Sequence, residues 1–71
     1  MNLTLTINGT ENTYTASQWP GSVADLLEQL RIDQATVVAE IDGQIVQRKA
    51  FAETLLQNGQ TVELIRFVGG G

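Results

Sequence analysis

Only one stretch of this 71-residue chain carries a helical hydrophobic period long enough to cover a sheet, and that limits the fold more than any other feature. Val23, Leu26, Leu27 and Leu30 recur at i, i+3, i+4 and i+7, which sets four apolar side chains on one stripe. Asp25, Glu28, Gln29 and Arg31 fall largely off that stripe. Ser22 stands where a helix begins. Its hydroxyl is expected to take the Asp25 amide, and the Asp25 carboxylate to take the Ser22 amide in return, an Asp variant of the capping box.

The remaining patterned segments read as strands. Leu3, Leu5 and Ile7 alternate with Thr4 and Thr6, so the first strand buries one face. Asn8-Gly9 predicts a tight hairpin turn, with a second strand over Thr13 to Ala16 that Trp19-Pro20-Gly21 breaks. Val37, Val38, Ala39 and Ile41 form a β-branched run ending at Asp42-Gly43, and Ile45 and Val46 follow it, the mark of a second hairpin. Arg48 to Leu56 reads as one short helical or 3₁₀ turn with Phe51, Leu55 and Leu56 tucked under the domain. Asn58-Gly59 is another turn. The last strand, Thr61 to Val68, is apolar at both parities, with Val62 and Leu64 on one face and Ile65, Phe67 and Glu63 on the other. Such strands usually lie inside a sheet. One helix over these strands gives a two-layer α+β domain. The last strand is expected beside the first and parallel to it, with the helix and the middle hairpin supplying the long crossover that parallel pairing needs.

Composition excludes several functions. The chain has no cysteine and no histidine, which removes disulfides, Cys/His metal sites and the commonest general base. Its net charge of −4, with four basic residues, lacks the electrostatic footprint of a nucleic-acid binder. No apolar run approaches the roughly 20 residues that span a bilayer. Met1 to Ile7 lacks the basic start of a signal peptide. The expectation is a complete, cytoplasmic chain that does not bind membranes. Residues 1–68 are expected to form the domain and 69–71 a flexible glycine tail.

The layout resembles the β-grasp, or ubiquitin-like, fold: a mixed sheet of four to five strands on one helix, with the first and last strands central and parallel. More closely, the whole chain resembles the ThiS family of thiamine-biosynthesis sulfur carriers. The residues that carry the likeness are Leu3-Thr-Leu-Thr-Ile-Asn8-Gly9, Val23-Ala-Asp-Leu26-Leu27, Val38-Ala-Glu-Ile-Asp-Gly43, Val46-Gln-Arg48-Lys-Ala-Phe51, and the closing run from Asn58 through Gly69-Gly70-Gly71. The resemblance implies a carrier rather than an enzyme. A ThiF-like adenylating enzyme would use ATP to activate the carboxylate of Gly71. Sulfur would then replace AMP to give a thiocarboxylate, which a ThiG-like thiazole synthase would consume. No cofactor would bind the carrier itself. Gly70 completes the family's diglycine, and Gly69 is one glycine more. A MoaD-like subunit of molybdopterin synthase shares fold and tail chemistry, and a β-grasp modifier or interaction module is a third reading.

Such chemistry suits glycine at the end of the chain. Three extended residues reach about 10 Å, and without a Cβ a partner's backbone can close on the tail from both sides. Glycine-rich ends also arise as plain frayed termini. Behind the tail, Glu63, Ile65 and Phe67, with Val38 and Glu40 on a neighbouring strand, are candidates for a docking surface suited to a basic, apolar-lined cleft. Burial in a second core layer, or ordinary surface placement, is the competing reading of the apolar pair. Arg66, just before the tail, could bind an acidic group on the partner. Arg48 and Lys49 read as solvated, and Trp19 as a packing residue.

Overall fold

A computed structural model describes residues 2–67. Five strands and one helix follow in the order β1 (Leu3–Ile7), β2 (Thr10–Tyr14), α1 (Val23–Gln29), β3 (Val37–Ile41), β4 (Gln44–Val46) and β5 (Thr61–Arg66). The sheet runs β2-β1-β5-β3-β4. β5 is central, parallel to β1 and antiparallel to β3, as its two-sided apolar pattern predicts.

Both hairpins close with two-residue turns. Asn8 and Gly9 have φ of 48° and 83°, and Asp42 and Gly43 have 49° and 85°. Positive φ at both central positions twists the chain the way paired strands twist, and Asn or Asp followed by Gly adopts it at least cost. The tight first turn also corrects the second strand. With Ile7 opposite Thr10, pairing begins at once, so β2 spans Thr10–Tyr14 rather than Thr13 to Ala16. Ala16–Gln18 is a 3₁₀ turn instead, tied by the Thr15 amide donating to Gln18 Oε1 at 3.1 Å.

The core lies between α1 and one sheet face. Leu5 and Ile7 of β1, Val37 and Ala39 of β3, and Val62 and Leu64 of β5 meet Val23, Leu26 and Leu27 of the helix. Phe51, from the segment after β4, is almost fully enclosed among them. Tyr14 and Trp19 pack against the core's edge with rings edge to face, 5.7 Å between centroids.

The helix departs from its sequence pattern at both ends. Ser22 Oγ accepts from the Asp25 amide at 3.1 Å, but the Ser22 amide donates to the Pro20 carbonyl, so the return half of the capping box is not made. At the other end the stripe stops early. Arg31 takes a left-handed φ of 58°, and its amide donates to Glu28 while that of Ile32 donates to Leu27. This terminating turn leaves Leu30 outside the core and 40% exposed, and packs Ile32 against the core in its place.

The Arg48 to Leu56 segment contains the expected 3₁₀ turn, at Arg48–Ala50. It is pinned beneath the helix start, where the Val23 and Ala24 amides donate to Thr54 and Phe51 and the Leu56 amide donates to Gly21. Phe51 and Leu56 are buried, but Leu55 is 70% exposed. Leu55 bridges Ser22 in a short antiparallel pairing, and the alternation there can turn only one of the two leucines inward.

Candidate functional site

Among the described residues the second sheet face is open, because the helix α1 covers only the first. Register decides what stands on it. On β5, Thr61, Glu63 and Ile65 alternate with the buried Val62 and Leu64. β3 places Val38 opposite Ile65 and Glu40 opposite Glu63, and β4 places Ile45 opposite Glu40. The face therefore carries a row Ile45–Glu40–Glu63 and, beside it, a row Val38–Ile65. Ile65 is 51% and Ile45 68% exposed. Phe67, just past β5, is 58% exposed, so neither Ile65 nor Phe67 lies in a second core layer.

Of the large apolar side chains that remain exposed, Ile45, Ile65 and Phe67 cluster here, whereas Leu30 and Leu55 do not. A groove of about 410 Å³ opens beside the patch, lined by Val38, Ile45 and Phe67 and reaching Val37, Phe51 and Arg48. Sequence reasoning brought Glu63, Ile65, Phe67, Val38 and Glu40 to this face but left Ile45 unassigned. Its signal was present: next to the core-facing Val46, it must point the other way. Arg66 has the opposite parity. It pairs in register with Val37 and is solvent-exposed on the helix side, so Arg66 alone of these candidates stands on the other face.

β5 is held in place by the turns of its neighbours. Asn8 Oδ1 accepts from the Leu64 amide at 2.8 Å and Asn8 Nδ2 donates to the Leu64 carbonyl at 3.3 Å. After β1 has turned away, this side chain imitates one more residue of the parallel ladder. In the other hairpin, Asp42 Oδ1 accepts from the Thr61 amide at 2.9 Å. The last described backbone bond runs from the Phe67 amide to the Thr36 carbonyl, 2.9 Å, which fixes where the chain leaves the sheet. Gly69, Gly70 and Gly71, with the flexible tail expected there, lie outside the described residues.

The sequence model of the ThiS family matches residues 5–71, almost the whole chain. The chain belongs to the ThiS family. A crystal structure of a ThiS thiamine-biosynthesis protein from Geobacter metallireducens is 36% identical and superposes with a TM-score of 0.77, each chain covered in full. That β-grasp architecture agrees with the fold described above. The sulfur carrier protein ThiS of Bacillus subtilis is 29% identical over 72% of this chain and 77% of its own length. A thiazole synthase of Paramagnetospirillum magneticum is 34% identical over 94% of this chain, and the match spans only 20% of that protein. The resemblance drawn from the sequence is thus borne out for family and fold. Among the described residues, no helix is long and apolar enough to cross a membrane.

Proposed function

We propose that this ThiS-family chain is a sulfur carrier of thiamine biosynthesis whose reactive group is the carboxylate of Gly71. The observation that carries the reading is the family match, whose range runs from Leu5 in β1 to residue 71 and so includes the three glycines. A carboxylate is a poor electrophile until one oxygen becomes a good leaving group. A ThiF-like adenylating enzyme would supply that step: the Gly71 carboxylate attacks the α-phosphate of ATP, pyrophosphate leaves, and an acyl adenylate results. A sulfur nucleophile then displaces AMP and leaves a thiocarboxylate. The carrier provides no catalytic side chain and holds no cofactor, and ATP belongs to the partner. Gly69 and Gly70 keep the approach narrow.

The domain serves as the handle, with Glu63, Ile65 and Phe67 docking the partners and Arg66 available from the opposite face. A thiazole synthase is the sulfur acceptor in this scheme. The relative bearing that name matches nearly all of this chain within one fifth of its own length, so a carrier-like segment and further sequence share one polypeptide there. The cytoplasm, where ATP-dependent activation is supplied, is the proposed location.

Deleting Gly71 tests the proposal. Exchange between ATP and pyrophosphate with the cognate adenylating enzyme should vanish while the far-ultraviolet circular dichroism stays that of the intact chain. Undiminished exchange would refute the assignment. Mass spectrometry adds a second arm: replacement of one terminal oxygen by sulfur supports a sulfur carrier, whereas a covalent adduct on a partner's lysine indicates a modifier.

A further inference from the structure

The chain has two Asn-Gly pairs, Asn8-Gly9 and Asn58-Gly59, and both asparagines stand exposed at turns. Such pairs are chemically unstable. Once base removes its proton, the glycine nitrogen attacks the carboxamide carbon of the asparagine before it. The carboxamide C–N bond breaks, its nitrogen takes a proton from water and leaves as ammonia, and a cyclic imide remains. Water then opens either imide C–N bond, giving an aspartyl or an isoaspartyl residue. Glycine favours the attack because no Cβ covers its nitrogen, and open space surrounds the Cβ positions of both Gly9 and Gly59. The two pairs are alike in sequence, and only the way each asparagine is held separates them.

Asn8 is held at both ends of its carboxamide, by the Leu64 amide at 2.8 Å and the Leu64 carbonyl at 3.3 Å. Leu64 belongs to the central strand, so turning that carboxamide towards Gly9 requires the middle of the sheet to open. Asn58 is held at its oxygen alone, which accepts from the Thr4 amide at 2.7 Å and the Thr4 hydroxyl at 3.5 Å. Its Nδ2, the atom that must leave, has no partner among the described residues. The Gly59 amide, the attacking group, donates to the Thr4 carbonyl at 2.8 Å. Both reacting groups of this pair are therefore restrained by one residue, Thr4. It lies near the start of β1 and outside the β1–β5 register, which begins with Thr6 opposite Thr61. Strand ends open at little cost, whereas central strands open only near the global free energy. A single local opening at Thr4 frees the nucleophile and the electrophile together.

We propose that Asn58 is a deamidation site of the folded chain, and that Asn8 is protected until the sheet opens. The assignment depends on the fold and not on the sulfur-carrier reading above. The aspartyl product keeps an acceptor for the Thr4 amide. The isoaspartyl product runs the main chain through the former side chain, which puts an extra carbon into the turn that the Gln60 amide closes onto the Gln57 carbonyl at 3.2 Å, directly before β5.

The test ages the unmodified full chain at mildly alkaline pH, folded and in parallel in urea, and cuts it with trypsin at intervals. Cleavage after Arg31, Arg48, Lys49 and Arg66 puts Asn8 in the peptide of residues 1–31 and Asn58 in that of residues 50–66. Mass spectrometry reads the gain that marks replacement of NH₂ by OH, and fragmentation assigns it to a residue. In urea the two Asn-Gly pairs should react at comparable rates. In the folded chain Asn58 should react at least about tenfold faster than Asn8. Equal rates at the two sites in the folded chain overturn the proposal, as does faster reaction at Asn8. Protection of both sites in the folded chain overturns it too, and so does a gain in residues 50–66 that fragmentation places on Gln57 or Gln60.

Discussion

Replacing Asn8 should loosen β5 at Leu64 on its β1 side, while β3 still pairs with it on the other, and the series of substitutions separates the two things this residue does. Asn8 holds a left-handed φ of 48° in the first hairpin, and its carboxamide makes both bonds to the Leu64 backbone, 2.8 Å and 3.3 Å. Asn8→Gly keeps the turn, because glycine takes that φ freely, and removes only the carboxamide. Two lost hydrogen bonds at about 0.5–1.5 kcal/mol net each, with a part-buried Leu64 amide left unpartnered, give a loss of about 2 kcal/mol. A chain of this size has on the order of 4–10 kcal/mol in total, and its midpoint should fall by roughly 8–16 °C. Asn8→Asp keeps the acceptor for the Leu64 amide but sets an oxygen against the Leu64 carbonyl, for a smaller loss of about 1 kcal/mol. Asn8→Ala adds the left-handed penalty and should cost about 3 kcal/mol. Urea unfolding followed by the fluorescence of Trp19, the sole tryptophan, measures the series. An Asn8→Gly variant within about 0.5 kcal/mol of the parent, at unchanged denaturant slope, would show that the carboxamide carries none of the β5 ladder. Hydrogen exchange localises the effect, since the Leu64 amide should lose protection before that of Val62.

Two further outcomes follow from the packing. Phe51→Ala should cost about 3–5 kcal/mol by opening a cavity at the centre of the core, whereas Leu55→Ala, at a side chain 70% exposed, should stay within about 0.5 kcal/mol of the parent in the same urea assay. Burial raises the Tyr14 phenol above its ordinary value of 10.0. The folded state therefore favours the protonated form, so Tyr14's contribution is complete below the unfolded value and is lost as pH climbs through the raised folded one. Phenolate absorbance of this single tyrosine should titrate at higher pH in the folded chain than in urea.

The sheet was legible because its signals are local. Asn8-Gly9 and Asp42-Gly43 need only their own backbone preferences to make hairpins, and the period-two runs beside them need only one buried face. The central place of β5 was legible too, since apolar residues at both parities suit an inner strand. What sequence could not show depended on contacts between distant residues. Leu30 fits the helical stripe, yet the left-handed turn at Arg31 expels it and Ile32 takes its place. Leu55 and Leu56 are equivalent in composition, and only the bridge from Leu55 to Ser22 decides which faces inward. The parity of Ile65 was plain, but its exposure followed from the absence of any second layer in the described structure.

The second use of the turn residues explains how this face keeps its identity. β5 is joined to neither neighbour by a hairpin, so no turn of its own sets its register, and a slip of one residue would bury Glu63 and Ile65 and expose Val62 and Leu64. Apolar parity opposes such a slip only in part, because Ile65 also gains by burial. The two hairpin turns oppose it directly. Asn8 grips the Leu64 backbone from one side and Asp42 takes the Thr61 amide from the other, so a slipped β5 breaks side-chain bonds on both flanks at once. The same clamps keep Glu63 and Ile65, with their β3 partners Glu40 and Val38, on the open face.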